Sequence, residues 1–304
     1  MKKKIIALSC IVSVVVFSCK KDEVETTPAT TTTTGTTGTN ANSGGVLEPT
    51  QTQKALLVEG TAAWCGYCPK YGTETMKQMI VKYPTMVAIA LHSGDALSTA
   101  YTINNTLSGN FSMAGIPDFY VGNTDASQSP ESKIISAQNQ TPTAAVGHTW
   151  TKGSDNKYTI TAKVKFYTAS SGSYYVATYA LQNNIPAAKS KTLDQHDYMS
   201  ILQTGTASTA VTIWNANEAS DGAGGYYFKT GDTYYHNHIL TAVADGITSN
   251  WGQALTATTI NANDTFDFSF TITPASTWTS DIEIITVLWK KNGSKYTYVN
   301  GYFQ

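Results

Sequence analysis

Two cysteines separated by two residues, Cys65 and Cys68, stand between an apolar run and a helical pattern. The apolar run, KALLVEGTA at 54–62, is bounded by turn residues in the way that a buried strand is. Apolar residues recur at helical spacing in PKYGTETMKQMIVKYP at 69–84. Its first proline suits the opening turn of a helix, and its last proline would end one. The chain is therefore predicted to form a strand, a C-x-x-C turn and a helix over residues 54–84.

The alternation of strands and helices continues along the chain. The segments MVAIALHSG at 86–94 and AGIPDFYVG at 114–122 are typical of buried strands, and ESKIISAQNQ at 131–140 is typical of a helix. The polar segment 95–113 fits a helix or a loop. The order of strand, helix, strand, strand and helix predicts an α/β domain with parallel pairing over residues 51–142.

Beyond this domain the period of the hydrophobic pattern changes to two. The alternating or apolar segments are YTITAKVKFY, YYVATYALQ, YYHNHILTAV, DTFDFSFTIT, EIITVLW and YTYVNGYF. Asn292 and Gly293, between the last two of these segments, are typical of a hairpin turn. About eight short strands without intervening helices predict an all-β antiparallel sandwich over residues 143–304.

Residues 1–18 are predicted to be an export signal, because the basic start MKKK precedes an apolar stretch that is too short to span a membrane. The signal runs into VFSC at 16–19, which resembles the bacterial lipobox, where the cysteine becomes the lipidated first residue after cleavage. Cys19 is therefore the expected lipidation site, and its acyl chains would anchor the protein to a membrane. A plain secretory peptide that is cut elsewhere is the alternative.

Residues 19–50 are rich in threonine and poor in apolar residues, which predicts a disordered tether. The charged run KKDE directly after Cys19 resembles the start of lipoproteins from Bacteroidetes. Because Cys10 would leave with the signal and Cys19 would be acylated, Cys65 and Cys68 are the thiols left in the mature chain. The compartment is oxidising, so this pair is expected to form a disulfide.

Composition excludes one class of partner. Charged residues make up 13% of the chain, the formal net charge is −1, and the chain contains no arginine. A nucleic-acid-binding protein would need a basic face that carries arginine forks, so no nucleic-acid partner is expected. A surface of neutral hydrogen-bonding side chains suits an extracytoplasmic β protein.

A C-x-x-C sequence at the start of a helix predicts a specific chemistry. Unpaired N–H groups and the partial positive charge of a helix N-terminus stabilise a thiolate. Cys65 would then be the exposed nucleophile that attacks a substrate disulfide, and the buried Cys68 would resolve the mixed disulfide. The pair could instead stay oxidised and simply brace the loop. A structural zinc site needs four ligands, and two cysteines do not supply them, so neither a metal nor a cofactor is expected.

The stretch LLVEGTAAWCGYC resembles the active-site stretch of thioredoxins, which implies a thioredoxin-like fold for the α/β domain. Thioredoxins carry a buried carboxylate six residues before the first cysteine, where this chain has Glu59. By this resemblance, Glu59 would take the proton from Cys68 during resolution. Thioredoxins also place a cis-proline opposite the dithiol, and Pro117 holds that position. The backbone of Ile116 would then pair with a substrate strand.

The same resemblance implies that Trp64, Gly66, Tyr67 and Ile116 form the substrate-binding surface. The chain departs from the thioredoxin pattern in having tyrosine in place of proline between the cysteines and glutamate in place of the usual aspartate. Asp118 also follows the proline where thioredoxins usually have threonine. These departures leave the direction of electron flow open.

Histidines form a second cluster. His236 and His238 are two residues apart on a predicted strand, so their side chains would share a face. That spacing can present two imidazoles to a metal, although it more often belongs to a polar sheet face or a hydrogen-bonded pair. His196 and Asp197 could supplement the pair. His92, at the end of a predicted parallel strand, could adjoin the dithiol or cap a loop.

The lipobox, the tether, EGTAAWCGYCP, HNHILTA and the ending YTYVNGYFQ together resemble the 28-kilodalton outer-membrane lipoprotein family of Bacteroidetes. The resemblance implies an outer-membrane location, on the periplasmic or the cell-surface side. Two functions follow as alternatives. The protein is either a thiol–disulfide oxidoreductase or isomerase of exported proteins, or a non-catalytic binding or accessory lipoprotein with a structural disulfide. A buried acid at Glu59 favours the first, because a staple does not need one. The expected partners are the membrane and a protein substrate or outer-membrane protein.

Overall fold

A computed structural model describes most of the chain after the predicted tether. The described residues are 47–62, 65, 68–95, 97–98, 101–127, 129–186, 211–214, 226–228 and 235–304. Several predictions fall outside them. These concern the signal at 1–18, Cys19 and the tether as far as residue 46, Trp64, Gly66, Tyr67, His196 and Asp197.

The first half of the described chain contains strands and short helices close to the predicted positions. The strands are β1 (Leu56–Thr61), β2 (Val87–His92), β3 (Asp118–Val121) and β4 (Thr124–Asp125). The helical elements are a π-helical segment (Pro69–Glu74) that leads into α1 (Thr75–Lys82), then α2 (Tyr101–Phe111) and α3 (Pro130–Gln138). The segment 95–113 therefore contains a helix. None of the helices that the structure describes is long and apolar enough to cross a membrane.

In the second half, the described elements are strands joined by turns. They are β5 (Ala144–Lys152), β6 (Tyr158–Phe166), β7 (Ser170–Ser171), β8 (Ser173–Gln182), β9 (Ile185–Pro186), β10 (Val211–Trp214), β11 (Tyr226–Phe228), β12 (Tyr235–His236), β13 (Ile239–Val243), β14 (Gln253–Ala254), β15 (Thr259–Ile260), β16 (Thr265–Ile272), β17 (Ile282–Asn292) and β18 (Lys295–Phe303). Buried positions alternate with more exposed ones along β6, as its period of two predicts.

One mixed sheet joins the two halves of the chain. Its strands run in the order β18-β17-β8-β13-β2-β1-β3-β4, and β14 also pairs with β8. Strand β2 pairs in parallel with β1 on one side and with β13 on the other, whereas β1 and β3 are antiparallel. At the junction of the halves, Ala90 is in register with Ile239, and the N–H of Ala90 donates to the carbonyl of His238 at 2.7 Å. The two halves therefore share backbone hydrogen bonds.

The predicted fold class, an α/β thioredoxin-like domain followed by an all-β antiparallel sandwich, is wrong. The described residues are mostly β-sheet with short helices, and their sheets are mixed and antiparallel. The strands of the predicted α/β domain continue into the sheet that β8, β13, β17 and β18 form. The error has a physical cause, because a hydrophobic period reports which faces are buried, whereas pairing is made by backbone groups at strand edges. The boundary at residue 142 stays a prediction.

Helices cover both faces of the N-terminal strands. Helices α1 and α3 pack on one face, where Met79 and Ile134 lie in one apolar cluster with Leu57. Helix α2 packs on the opposite face, where Leu107 joins Val58. Successive residues of a strand point to opposite faces, so β1 contributes Leu57 and Val58 to different cores. Burial on both faces explains why the sequence of β1 is a continuous apolar run.

A second, antiparallel sheet has the strand order β16-β6-β5. Its inner face packs against the large sheet, with Ile160 and Phe166 in one cluster with Val176 and Leu288. Each of these side chains is fully buried, and full burial of such a side chain stabilises the fold by about 1.5–3 kcal/mol. This sandwich-like packing buries one face of β8 and β17 in the large sheet.

Candidate active site

The two cysteines form a disulfide in the turn between β1 and the π-helical segment. The backbone N–H of Cys65 donates to the carbonyl of Ala62 at 3.1 Å, which closes the turn that follows β1. The predicted disulfide is therefore confirmed. Cys65 is only 4% exposed and Cys68 is fully buried, in a small apolar cluster with Ala62. The expected exposure of Cys65 is not found, because Cys65 lies in an apolar cluster with Ala62, Cys68 and Ile116.

The Ile116–Pro117 turn lies against this pair, although it is far away in the sequence. The peptide bond between Ile116 and Pro117 is cis, as predicted. The side chain of Ile116 packs against the cluster that Cys65 and Cys68 form. Asp118, the next residue, begins β3, which is hydrogen-bonded to β1. The pairing of β1 with β3 therefore places the proline turn beside the disulfide.

Glu59 is buried in the middle of β1, with 1% of its surface exposed. Its Oε1 atom has no hydrogen-bond partner among the described residues. Burial raises the pKa of Glu59 to about 8, and the Thr61 hydroxyl and the positive charge of Lys77 oppose that rise. Removal from water disfavours the charged form of a carboxyl group. Glu59 is therefore mostly a neutral acid at pH 7, able to give up a proton inside the protein.

Gly72 links this acid to the proline turn. A Cβ atom at residue 72 would overlap Oε1 of Glu59 and would lie 3.1 Å from Cβ of Pro117. Gly72 lies within the π-helical segment that begins directly after Cys68. The absence of a side chain at residue 72 therefore allows the helical segment, the buried acid and the proline turn to approach one another.

A cavity of about 300 Å³ lies between α1 and the sheet, and Glu59, Lys77, His92 and His236 are among the residues that line it. Nδ1 of His92 lies 2.8 Å from Oδ2 of Asp95, and both side chains are buried. The rings of His92 and His236 meet edge to face, with their centroids 5.1 Å apart. His92 therefore both anchors the loop after β2, as one of its predicted roles requires, and lies on the same cavity as Glu59.

The two histidines of the second cluster have different partners. His236 ends β12 and packs on His92, while His238 has a positive φ of 56° and its Nδ1 lies 2.8 Å from Oε2 of Glu283. The turn between them breaks the regular strand that would have given both side chains one environment. Within the described ranges, no group of three or more His, Cys, Asp or Glu residues could hold a metal ion.

Sequence reasoning missed two contributors to the site. Gly72 interrupts a helical pattern, and an isolated glycine there is a signal for a close packing contact. Lys77 is on the exposed side of that pattern, and its electrostatic effect on Glu59 becomes apparent only when α1 is placed on the sheet.

The fold and the site define a class, namely a β-rich protein whose mixed sheet carries a C-x-x-C disulfide, a proline turn and a buried acid. The structure is similar to that of HBP35 of Porphyromonas gingivalis, a Bacteroidetes species, with a TM-score of 0.59 and 19% sequence identity. The similarity covers 84% of this chain and 76% of that chain. At this level of identity the comparison shows a shared fold.

Spo0M, a sporulation control protein of Bacillus subtilis, also matches, with 12% identity over 53% of this chain and 47% of that chain. Its TM-score of 0.21 is too low to support an argument. No protein-family model and no curated protein matches the sequence.

Proposed function

We propose that the protein is a thiol–disulfide oxidoreductase or isomerase that acts on exported proteins. The observation that carries the proposal is the neutral, buried carboxyl of Glu59, which contacts the helical segment that follows Cys68. A stable disulfide gains nothing from a buried acid with one oxygen that lacks a hydrogen-bond partner, since such a group is costly to bury. A disulfide that opens needs a proton for the thiolate that it releases.

The chemistry can be written for the oxidised pair. A substrate thiolate attacks Sγ of Cys65, the Cys65–Cys68 bond breaks, and the leaving thiolate of Cys68 takes the proton of Glu59. A second substrate thiolate then attacks the substrate sulfur of the mixed disulfide and releases Cys65 as a thiolate. Two electrons pass from the substrate to the pair, and another protein disulfide, or a small-molecule disulfide, reoxidises it. In the opposite direction, the thiolate of Cys65 attacks and Glu59 takes the proton from Cys68.

The substrate would reach the pair along the turn before β3. Ile116 contacts the disulfide cluster and belongs to that turn. Its backbone would pair with an extended substrate segment. Trp64, Gly66 and Tyr67 would complete the contact surface.

One observation favours the alternative function, a non-catalytic binding or accessory lipoprotein whose disulfide is structural. Both half-cystines are buried, with Cys65 4% exposed. Catalysis requires that Sγ of Cys65 becomes accessible when substrate binds, whereas a staple requires no such opening.

Trapping separates the two functions. In a Cys68→Ser variant, Cys65 cannot be released by its partner, so mixed disulfides with exported proteins should accumulate on Cys65. A Cys65→Ser variant, which keeps the inner thiol alone, is the matched control and should trap far less. If neither variant traps protein, and if redox titration leaves the pair oxidised at the potential of its compartment, the disulfide is structural.

Location belongs to the same proposal. The protein would be an outer-membrane lipoprotein of the Bacteroidetes family named above, anchored through Cys19. The VFSC sequence and the fold shared with a Porphyromonas gingivalis protein support this. Labelling with a radioactive fatty acid should mark the wild-type protein and a Cys10→Ser control but not a Cys19→Ser variant. Label on the Cys19→Ser variant would contradict the anchor.

A further inference from the structure

A pocket of about 400 Å³ lies beside the disulfide, on the sheet face opposite to the Glu59 cavity. We name it the α2 pocket. Its lining includes Gly60 of β1, His92 at the end of β2, Asn104 and Ser108 of α2, and Met113 and Ile116 of the following turn. Ile116 also packs on the cluster of Cys65 and Cys68. The pocket and the redox pair therefore share a wall.

Asn104, in the wall of this pocket, carries a buried hydrogen-bond acceptor that no described residue uses. Its side chain is buried, with 3% of the residue exposed, and Nδ2 donates to the backbone carbonyl of His92 at 3.2 Å. Because a carbonyl can only accept a hydrogen bond, the Asn104 amide must direct its NH₂ group toward His92 and its Oδ1 atom away from it. Oδ1 has no hydrogen-bond partner in the described part of the chain. A buried acceptor of this kind is costly unless a donor reaches it.

The remaining lining restricts what that donor can be. Apart from His92, whose Nδ1 is taken up by Asp95, the described lining residues carry no ionisable side chain. Met113 and Ile116 add apolar surface. A charged group would lose its hydration there without gaining a counter-charge, whereas a neutral donor on a short apolar stem would satisfy Oδ1 and bury the stem.

We propose that the α2 pocket is a specificity site, which binds an uncharged, hydrogen-bond-donating side chain of the substrate polypeptide close to its reacting cysteine. Asn104 Oδ1 accepts the hydrogen bond, as it would from glutamine, asparagine, serine or threonine. The inference rests on the proposed function, and it adds a substrate class, namely exported chains with a neutral polar residue near a cysteine. Residues two apart in an extended chain point to the same side, so this residue would lie two positions from the cysteine.

Activated peptides test the proposal. Peptides with one cysteine, held as a mixed disulfide with thionitrobenzoate, carry Gln, Leu or Glu two positions before or after that cysteine. Attack by Cys65 of the Cys68→Ser protein joins it to the peptide and releases coloured thionitrobenzoate. In one of the two series, with the variable residue either before or after the cysteine, we expect the Gln peptide to react roughly fivefold faster than the Leu and Glu peptides. A roughly fivefold difference in rate corresponds to one neutral hydrogen bond.

Variants in α2 assign that preference to the pocket. Asn104→Leu removes the acceptor, and Ser108→Leu fills the pocket without touching the bond from Asn104 to His92. Both should bring the Gln-to-Leu ratio close to one. Gly109→Ala is the matched control, because Gly109 follows Ser108 on α2 and no atom lies within 4 Å of the position of its Cβ. It should keep the preference. Circular dichroism verifies that each variant folds.

A binding measurement separates this inference from the redox proposal. Peptides with serine in place of cysteine are added to the wild-type protein, and the side-chain amide signals of Asn104 are followed by NMR. Shifts with the Gln peptide but not the Leu peptide support the pocket, even if no peptide reacts with Cys65 and the redox function fails. If Cys65 reacts, equal rates for all peptides, or a preference that survives in Asn104→Leu, overturns the pocket. The absence of any NMR shift overturns it whether or not Cys65 reacts.

Discussion

The carboxyl group of Glu59 lies so close to the backbone of Gly72 that a side-chain carbon at residue 72 would overlap Oε1. The contact joins the centre of β1 to the helical segment that follows the cysteines. Cβ of Pro117 would lie 3.1 Å from the same side-chain carbon, so the proline turn meets the helical segment at this point as well. The close approach of β1, the helical segment and the proline turn therefore depends on the absence of a side chain at residue 72.

We expect Gly72→Ala to destabilise the protein by about 1–3 kcal/mol, the usual cost of an extra carbon in a packed core. The buried Glu59 side chain and the ring of Pro117 have little room to move away. Urea unfolding measures the change. The control is Gly109→Ala, which enters open space in α2 and should stabilise the protein by up to about 1 kcal/mol, because alanine favours helix. If both variants shift stability in the same direction, the contact at residue 72 is not tight.

Stability should fall as the pH rises through the titration of Glu59. The pKa of Glu59 is about 8 in the folded protein, whereas an unperturbed glutamate has a pKa of 4.5, so between these values the folded state holds a proton that the unfolded state has lost. The free energy of unfolding then decreases with pH, by on the order of 4 kcal/mol across the window. Urea unfolding at pH 5, 7 and 9 measures this slope. The variant Glu59→Gln keeps the shape but cannot titrate, so parallel curves for it and the wild type would contradict the prediction.

The same variant should slow one chemical step and spare the other. When the reduced pair attacks a substrate disulfide, Glu59→Gln cannot take the proton from Cys68, so Cys68 should resolve the mixed disulfide more slowly, by roughly a hundredfold, the lower range for general acid–base catalysis. The first attack by Cys65 on the substrate disulfide should be nearly unchanged. Rapid quenching with acid, followed by mass spectrometry, measures both steps. Slowing of the attack alone would show that Glu59 acts on Cys65 and not on Cys68.

How far the sequence predicts the site depends on whether the partners are close in the chain. The Cys65–Cys68 disulfide follows from the local C-x-x-C motif, and the cis bond before Pro117 follows from the resemblance to the thioredoxin active-site stretch; both are present. The contact of Gly72 with Pro117 does not, because it exists only after β3 has paired with β1. The pocket around Asn104 was missed for another reason: α2 is polar, so its hydrophobic period is weak.

The fold was predictable to a similar extent. The alternation of buried residues in β6 matches its period, since a strand that covers one core must alternate. The parallel pairing of Ala90 with Ile239 cannot be recognised from the hydrophobic pattern. Backbone groups form this pairing, so the side chains at the strand edge can be of any type. That single pairing turned two predicted domains into one continuous sheet, and it is the reason why the predicted fold class failed.

We expect Asn300→Ala to destabilise the protein by about 2–4 kcal/mol, because it removes a buried polar link. Asn300 is 1% exposed, and its Nδ2 donates to the carbonyls of Thr52 and Ala144, both at 3.0 Å. Its Oδ1 accepts from the N–H of Lys54 at 3.1 Å. The bonds hold the segment before β1 against β18. Thermal and urea unfolding measure the loss.

An exposed asparagine gives the comparison for that measurement. The Nδ2 atom of Asn292 donates to Oγ1 of Thr297 at 2.7 Å at the surface of the β17–β18 hairpin. Asn292→Ala should cost no more than about 0.5 kcal/mol, since water replaces an exposed hydrogen bond. Equal losses of stability in the two variants would mean that the buried hydrogen bonds of Asn300 add nothing to its packing contacts.

The parallel pairing of β2 with β13 also affects the order in which parts of the chain can fold. A chain is synthesised from its N-terminus, so Ala90 emerges long before Ile239, its partner on that edge. Until then β2 has one neighbour, and the turn with Cys65 and Cys68 sits on a sheet that is still incomplete. In the oxidising compartment that we propose for the protein, the disulfide could therefore close before the last strands arrive, while its surroundings are still open to solvent.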